Sequence, residues 1–179
     1  SPPLGINRTR RWAEEELGSR VKIHCYDPNV YADGRERLQK LVADGRYDVM
    51  AFSPLHWTME NDLALMFDTY QKNPNALYVV GGQQAAFANK LLFEHFKGLD
   101  AVVIGEGEKP FTEILRTALE NGVGHVKNNP QVLHRIPGLY IKDTPTVLTG
   151  YNPALSVEDF VKATFRLDFK DLDHKLYWG

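Results

Sequence analysis

Apolar positions along the first two thirds of the chain alternate between helical and extended spacing, with short turns between them. Asn7 to Leu17 reads as a helix closed by Gly18, and "RVKIHCYD" (20–27) reads as a strand stopped by Pro28. "GRERLQKLVADG" (34–45) sets Leu38, Leu41 and Val42 on one helical face, with Gly45 suited to a positive-φ stop. "DVMAFS" (48–53) is a continuous apolar run of the kind buried on both faces. From Glu60 to Asn73, Leu63, Met66, Phe67 and Tyr70 fall at i, i+3, i+4 and i+7, a single helical stripe. "ALYVVGG" (76–82) predicts another buried strand, and Phe87, Leu91, Leu92 and Phe96 mark the next helix. "AVVIGEG" (101–107) follows as a strand, then Phe111, Ile114, Leu115 and Ala118 as a helix, with Pro110 in its tolerant first turn.

Strands and helices that alternate through short turns pair in parallel by right-handed crossovers. The predicted class is therefore α/β, a doubly wound parallel sheet of the flavodoxin-like, Rossmann-like kind. Ligands in such sheets sit beyond the C-terminal strand ends. That rule selects "SPLHWT" (53–58), "GGQQA" (81–85) and "GEGEKPF" (105–111), with the opening "PPLGINR" as a further candidate loop. Residues 1–122 read as this α/β domain. Residues 123–179 read as a small β-hairpin, "IPGLYIKDTPTVLTG" (136–150), and a connector whose acidic-aromatic tail gives no firm pattern. One element is unaccounted for: "SPPLG" resembles the loop that leaves a first strand, but no such strand stands before it. In the 2-1-3-4-5 order strand one is central, so its loss would part its neighbours by roughly 10 Å and leave facing backbone groups unpaired. Upstream sequence, another segment or a different strand order would each resolve this.

Charge and composition narrow the function. Twenty-one basic against twenty-three acidic residues give a net charge of −2, with no basic stripe for a phosphate backbone, so nucleic acid is not an expected partner. The lone Cys25, in an apolar run, excludes an internal disulfide framework and a multi-thiolate zinc site, and reads as a buried, inert thiol. No apolar stretch approaches the roughly 20 residues that span a bilayer, and no signal-peptide pattern opens the chain; no membrane partner and a cytoplasmic location are the expectations.

Gly81-Gly82 and Gly105/Gly107 each follow a buried strand, where absent side chains let backbone N–H groups approach a ligand. One such turn is ordinary; two on neighbouring strand ends favour a ligand. Neither is a dinucleotide fingerprint, since the third glycine of G-x-G-x-x-G is missing, and no P-loop is present. Glu106 and Glu108 suit either an acid/base pair or, more ordinarily, helix N-terminal charges; as acceptors they fit hydroxyl partners better than phosphate. His56 and Trp57 end a buried strand, where an aromatic offers a flat apolar surface and an imidazole a metal-binding nitrogen. A histidine hydrogen-bonded within its loop is the commoner reading. No H-E-x-x-H or G-x-S-x-G occurs, and no catalytic residue is assigned.

Taken together, the "PPLG" opening, "DVMAFSPLHWTMENDLAL", "YVVGGQQA", "AVVIGEGEKPFTEIL", "IPGLYIKD" and "LTG" resemble the N-terminal cobalamin-binding domain of cobalamin-dependent radical SAM enzymes, over most of the first 150 residues. The resemblance implies cobalamin contacts at Gly5, Ser53, Leu55, His56, Trp57, Gly81, Gly82, Gln83, Gly105, Glu106, Gly107, Glu108 and Phe111. It makes the two glycine turns the groove for a displaced nucleotide tail, and puts Leu55, His56 and Trp57 near the lower corrin face. D-x-H-x-x-G is absent, so the histidine-on mode of the mutases is not indicated, and His56 as a cobalt ligand would mark an unusual member. CxxxCxxC is absent too, and one cysteine does not ligate a cluster, so S-adenosylmethionine and the [4Fe-4S] cluster are expected only in a downstream radical SAM domain. The implied role is support of methyl transfer from S-adenosylmethionine through cobalamin, as one part of a methyltransferase. The residues alone leave open a freestanding regulatory or interaction domain, or a nucleotide-sugar or flavin-binding enzyme.

Overall fold

In a computed structural model, residues 4–43 and 47–165 are described. Ser1 to Pro3, Gly45 with its proposed helix stop, and the tail from 166 to 179 lie outside them. The strands are β1 (Val49–Phe52), β2 (Leu77–Val80), β3 (Ala101–Val103) and β4 (Leu139–Ile141), hydrogen-bonded in that order as one sheet. β1, β2 and β3 run parallel, with Val49 beside Leu77 and Val80 beside Val102; β4 runs antiparallel to β3. The helices are α1 (Leu4–Leu17), α2 (Gly34–Val42), α3 (Met59–Lys72), α4 (Gln83–His95), α5 (Glu108–Asn121), α6 (Val123–Asn128) and α7 (Val157–Phe165).

Strand alternation divides the core. Tyr78, Val80, Val102 and Met50 point to a layer closed by Val42 of α2, Met66 of α3 and Leu92 of α4. Leu77, Val79, Ala101 and Val103 point the other way, onto Ile114 and Ala118 of α5 and Val126 of α6. Ala13 and Leu17 of α1 meet Leu115 of α5 and extend that second layer. This is the doubly wound, flavodoxin-like α/β arrangement read from the sequence. Rings brace the first layer: Tyr78 meets Tyr70 and Phe96 edge-on at centroid distances of 5.4 and 5.7 Å, each such pair contributing about 1 kcal/mol. Asp100, 2% exposed, caps the strand entry by accepting from the Tyr78 N–H at 2.9 Å, and its charge is met by Lys127 at 2.9 Å and Lys142 at 3.4 Å.

Four expectations are corrected. "RVKIHCYD" forms no strand: a 3-10 turn at Gly18–Arg20 leads into an extended but unladdered run, with Val21 at φ −126° and ψ 148°. Its neighbour in a doubly wound sheet would be a central strand that no described segment supplies, so β1 is the sheet edge. The 136–150 hairpin is half a hairpin. Leu139–Ile141 joins the main sheet as β4, and Leu133, Ile136, Leu139 and Ile141 enter the core; the return run makes one bridge, Ile141 to Thr144, and is then pinned by the bonds Thr149 N–H to Leu139 O and Gly138 N–H to Gly150 O. Gly5 lies in the first turn of α1 and not in a loop. On α4 and α3, Phe87 (86% exposed) and Phe67 (51%) face outward, while Ala85 and Leu65 take the buried positions. Among the described residues no helix is long and apolar enough to cross a membrane.

Candidate functional site

Because β1, β2 and β3 are parallel, their following turns leave one edge of the sheet together. The β1 turn is closed by Thr58, whose N–H donates to Leu55 O at 3.0 Å and whose hydroxyl donates to Asp62 Oδ2. Burial raises the Asp62 carboxyl above its ordinary range, against the pull of the Thr58 hydroxyl. The β2 turn is Gly81-Gly82, tied to β1 by Gly81 N–H to Phe52 O at 2.9 Å. Gly82 has φ 88° and ψ 172°, a region essentially reserved for glycine, and a Cβ there would stand 2.8 Å from Ser53 Oγ. The β3 turn bends at Gly105 (φ 82°), and Gly107 brings α5 so near α1 that a Cβ would stand 3.3 Å from Thr9 Oγ1.

These turns rim a cavity of about 820 Å³. Gly5, Ser53, Gly81, Gly82, Gln83, Gly105, Glu106, Gly107, Glu108 and Phe111 all line it, so the structure brings together most of the residues singled out in the sequence. Leu55, His56 and Trp57 do not line it. Leu55 borders a smaller cavity of about 200 Å³ on the α2 side, and Leu55 (48%) and Trp57 (80%) are exposed on the β1 turn. His56 is exposed, and no hydrogen bond to its ring is found among the described residues, which corrects the expectation of a histidine bonded within its loop.

Both glutamates of the β3 turn hold protein partners. Glu108, 3% exposed at the start of α5, pairs with Arg8 of α1 at 2.8 Å. Burial pushes its carboxyl above the ordinary range, opposed by its own backbone N–H and by the Arg8 guanidinium. Glu106 is half-buried and accepts the Leu155 N–H, while Asn152 Nδ2 donates to Ile104 O at 3.0 Å and Glu106 O at 2.9 Å. Residues 152–155 thus strap the outer side of this turn. Sequence reasoning missed Arg8 and Asn152: an arginine on a helix and an Asn-Pro turn carry no sign of distant partners. Ile23, His24 and Cys25 also line the cavity, and His24 Nδ1 contacts the Tyr47 hydroxyl at 3.0 Å. No group of three or more His, Cys, Asp or Glu able to hold a metal occurs among the described residues.

A wide cavity at parallel strand ends, rimmed by glycine backbone and flanked by exposed Leu55 and Trp57, fits a large ligand with amide donors and apolar faces. Residues 1–115 match the B12 binding domain family. The chain belongs to that family. Cobalamin is its cofactor, and the glycine turns, the apolar β1 loop and the cavity of this B12-binding domain suit it. The chain is also similar to a 2-(S-pantetheinyl)-carbapenam-3-carboxylate methyltransferase of Streptantibioticus cattleyicolor, at 23% identity over 148 residues. That match takes in 83% of this chain and 20% of the relative, so the chain spans about a fifth of the relative's length. No solved structure matches.

Proposed function

We propose that this B12-binding domain seats cobalamin beyond the C-terminal ends of β1, β2 and β3, as the cofactor-holding part of a longer radical SAM methyltransferase. The observation that carries the reading is that the strand-end glycines of the family-matched region rim one cavity. The similarity to a protein named as a methyltransferase supports methyl transfer as the use. When bound, cobalamin supplies methyl-carrying chemistry at cobalt; S-adenosylmethionine and the [4Fe-4S] cluster belong to a separate downstream domain in this reading.

This chain's own residues bind and orient. The backbone N–H groups of Gly82, Gly105 and Gly107 would meet the nucleotide tail at short range, because no Cβ stands between, while the Gly81 N–H stays bonded to Phe52 O. Glu106, the more exposed of the two glutamates, is the acceptor for a sugar hydroxyl, since Glu108 is buried on Arg8. Leu55 and Trp57, exposed on the β1 turn, would offer a bound corrin an apolar surface and help keep water from it. His56 holds no cobalt in this reading.

Mixing the purified chain with hydroxocobalamin and separating free cofactor by gel filtration tests the proposal. Co-elution of corrin absorbance with the protein is expected, with the same spectrum in His56→Ala. Elution of all absorbance with free cofactor would remove the cobalamin reading, and a spectrum altered in His56→Ala would restore that histidine as a ligand.

A further inference from the structure

The three strand-end turns are shaped by different means. Glycines make the β2 and β3 turns, but the β1 turn, Ser53 to Thr58, holds no glycine, and among the described residues no other type takes a positive φ. Its shape therefore rests on hydrogen bonds, and they converge on one residue. Thr58 takes both backbone groups of Leu55: its hydroxyl accepts the Leu55 N–H at 3.2 Å, and its own N–H donates to Leu55 O at 3.0 Å. His56 and Trp57 are the two central residues of the turn so closed. A threonine that opens a helix ordinarily turns its hydroxyl onto the first free N–H groups, yet Thr58 precedes α3 with no such bond. Its hydroxyl donates to Asp62 Oδ2 instead, while the Asp62 N–H donates to Thr58 O at 2.8 Å.

An acidic residue in a first helical turn usually answers the helix dipole, and the exposed Glu60 has that place in α3. Asp62 is different. It is half-buried, which costs a carboxylate its hydration, and three groups favour its charged form: the Thr58 hydroxyl, the Asn29 side chain of the 3-10 turn Pro28–Val30, and the Leu55 N–H, with Asp27 opposing. Asn29 is itself set by its N–H, which donates to Asp27 Oδ1 at 3.0 Å. The carboxyl thus fastens the β1 turn both to α3 and to the turn that precedes α2.

We infer that Asp62 is a positioning residue for the cofactor: through Thr58 it fixes the β1 turn, so that Leu55 and Trp57 stay presented together as an apolar surface for the corrin. The inference rests on the cobalamin reading for its ligand, and on the hydrogen bonds alone for the fixing of the turn. Leu55 is 48% exposed and Trp57 80%, so packing holds neither side chain firmly and the backbone of the turn must set their direction. A surface ordered before its ligand arrives spares binding the entropy of ordering it.

Amide exchange at Leu55 and Thr58, read without cofactor, tests the fixing, and the dissociation constant for hydroxocobalamin tests its use. Asp62→Leu has the same branched shape with no acceptor, and Thr58→Val keeps the branch and removes the hydroxyl. Each should speed that exchange about tenfold, and weaken hydroxocobalamin about as much, the size expected for one hydrogen bond to a charged group. Asp62→Asn keeps an acceptor oxygen and should return both readouts to within about threefold of the parent. Asp100→Asn, which loosens the opposite ends of the strands, should leave the dissociation constant unchanged, and so separates lost positioning from lost stability. Parent-like exchange in both Asp62→Leu and Thr58→Val would overturn the inference. So would faster exchange with an unchanged dissociation constant, or equal weakening in Asp100→Asn. A parent that retains no hydroxocobalamin removes the cobalamin reading, and the exchange of Asp62→Leu then decides by itself whether this carboxyl fixes the turn.

Discussion

Gly82→Ala isolates what the β2 turn demands. At φ 88° and ψ 172° an L-residue sits in a region used almost only by glycine, which costs about 1–3 kcal/mol. The added Cβ would also stand 2.8 Å from Ser53 Oγ. That oxygen ends a short side chain and moves by leaving its rotamer, for about 0.5–1.5 kcal/mol. Against these, alanine restricts the unfolded chain and returns about 0.4–1 kcal/mol. The net expectation is a loss of about 2 kcal/mol, within a span of about 0.5–4 kcal/mol, against a typical domain stability of about 5–15 kcal/mol. Urea unfolding followed by far-UV circular dichroism measures it. In a Ser53→Ala background the cost of Gly82→Ala should fall by about 1 kcal/mol, because only the clash is removed and the backbone strain stays. If Gly82→Ala lies within 0.5 kcal/mol of the parent, the turn tolerates a side chain and the claim of reserved close approach is wrong. Retention of hydroxocobalamin by the folded fraction should weaken in parallel.

Other consequences can be measured on the same footing. Asp100→Ala strands the Tyr78 N–H and takes the counter-charge from Lys127 and Lys142, an expected loss of about 3 kcal/mol in urea unfolding; Asp100→Asn keeps an acceptor and should lose about half as much. Glu108 has a raised folded-state pKa because burial disfavours its charge, so the folded chain binds that proton more tightly than the unfolded chain. Its contribution to stability is present at low pH and declines as pH rises from about 4.5 through the higher folded value; Glu108→Gln should flatten the fall in urea midpoint across that window, and an unchanged slope would refute the assignment. Asn152→Ala removes the bonds to Ile104 O and Glu106 O and should cost about 1–3 kcal/mol while speeding amide exchange at Leu155, whereas no change in exchange would show that the strap is held by other contacts.

Local pattern carried the helices and parallel strands well, because each rests on spacing within a dozen residues. Ile114, Leu115 and Ala118 fall on one buried face of α5 as the 3.6 period requires. The errors share a cause: they concern elements whose partners are distant in sequence. Val21 to Asp27 has strand-like residues, but a strand is a property of a pair, and that run forms no ladder with any strand among the described residues. Leu139–Ile141 became a sheet edge because β3 offered it a free side, which no hairpin signal encodes. Phe87 and Leu91 share a helical stripe with Leu92, yet the sheet reaches only Leu92 and Ala85. In the site, glycines were legible because their chemistry is local. The arginine and asparagine that support them were not, because a helix–helix contact and a strap 50 residues on decide them.

The acidic β3 turn shows how such supports and the ligand surface divide the work. Four residues, Gly105 to Glu108, alternate a type with no side chain and a type with a charge. The charged pair is used inward and sideways: Glu108 ties α5 to Arg8 of α1, and Glu106 ties the turn to Leu155. Each removes a negative charge, or part of one, from the ligand's side, since Arg8 balances Glu108 and a backbone N–H already takes one oxygen of Glu106. The glycines, with nothing to project, leave the backbone itself as the surface a ligand meets. An anionic side-chain pair and an anion-bearing ligand are therefore compatible on one short turn. If Arg8→Met releases Glu108 as an unbalanced charge, hydroxocobalamin retention should fall, and although Arg8 itself lines the cavity, retention should recover in the double variant with Glu108→Gln. Failure of the second change to restore it would mean that Arg8 acts on the ligand directly and not through the glutamate.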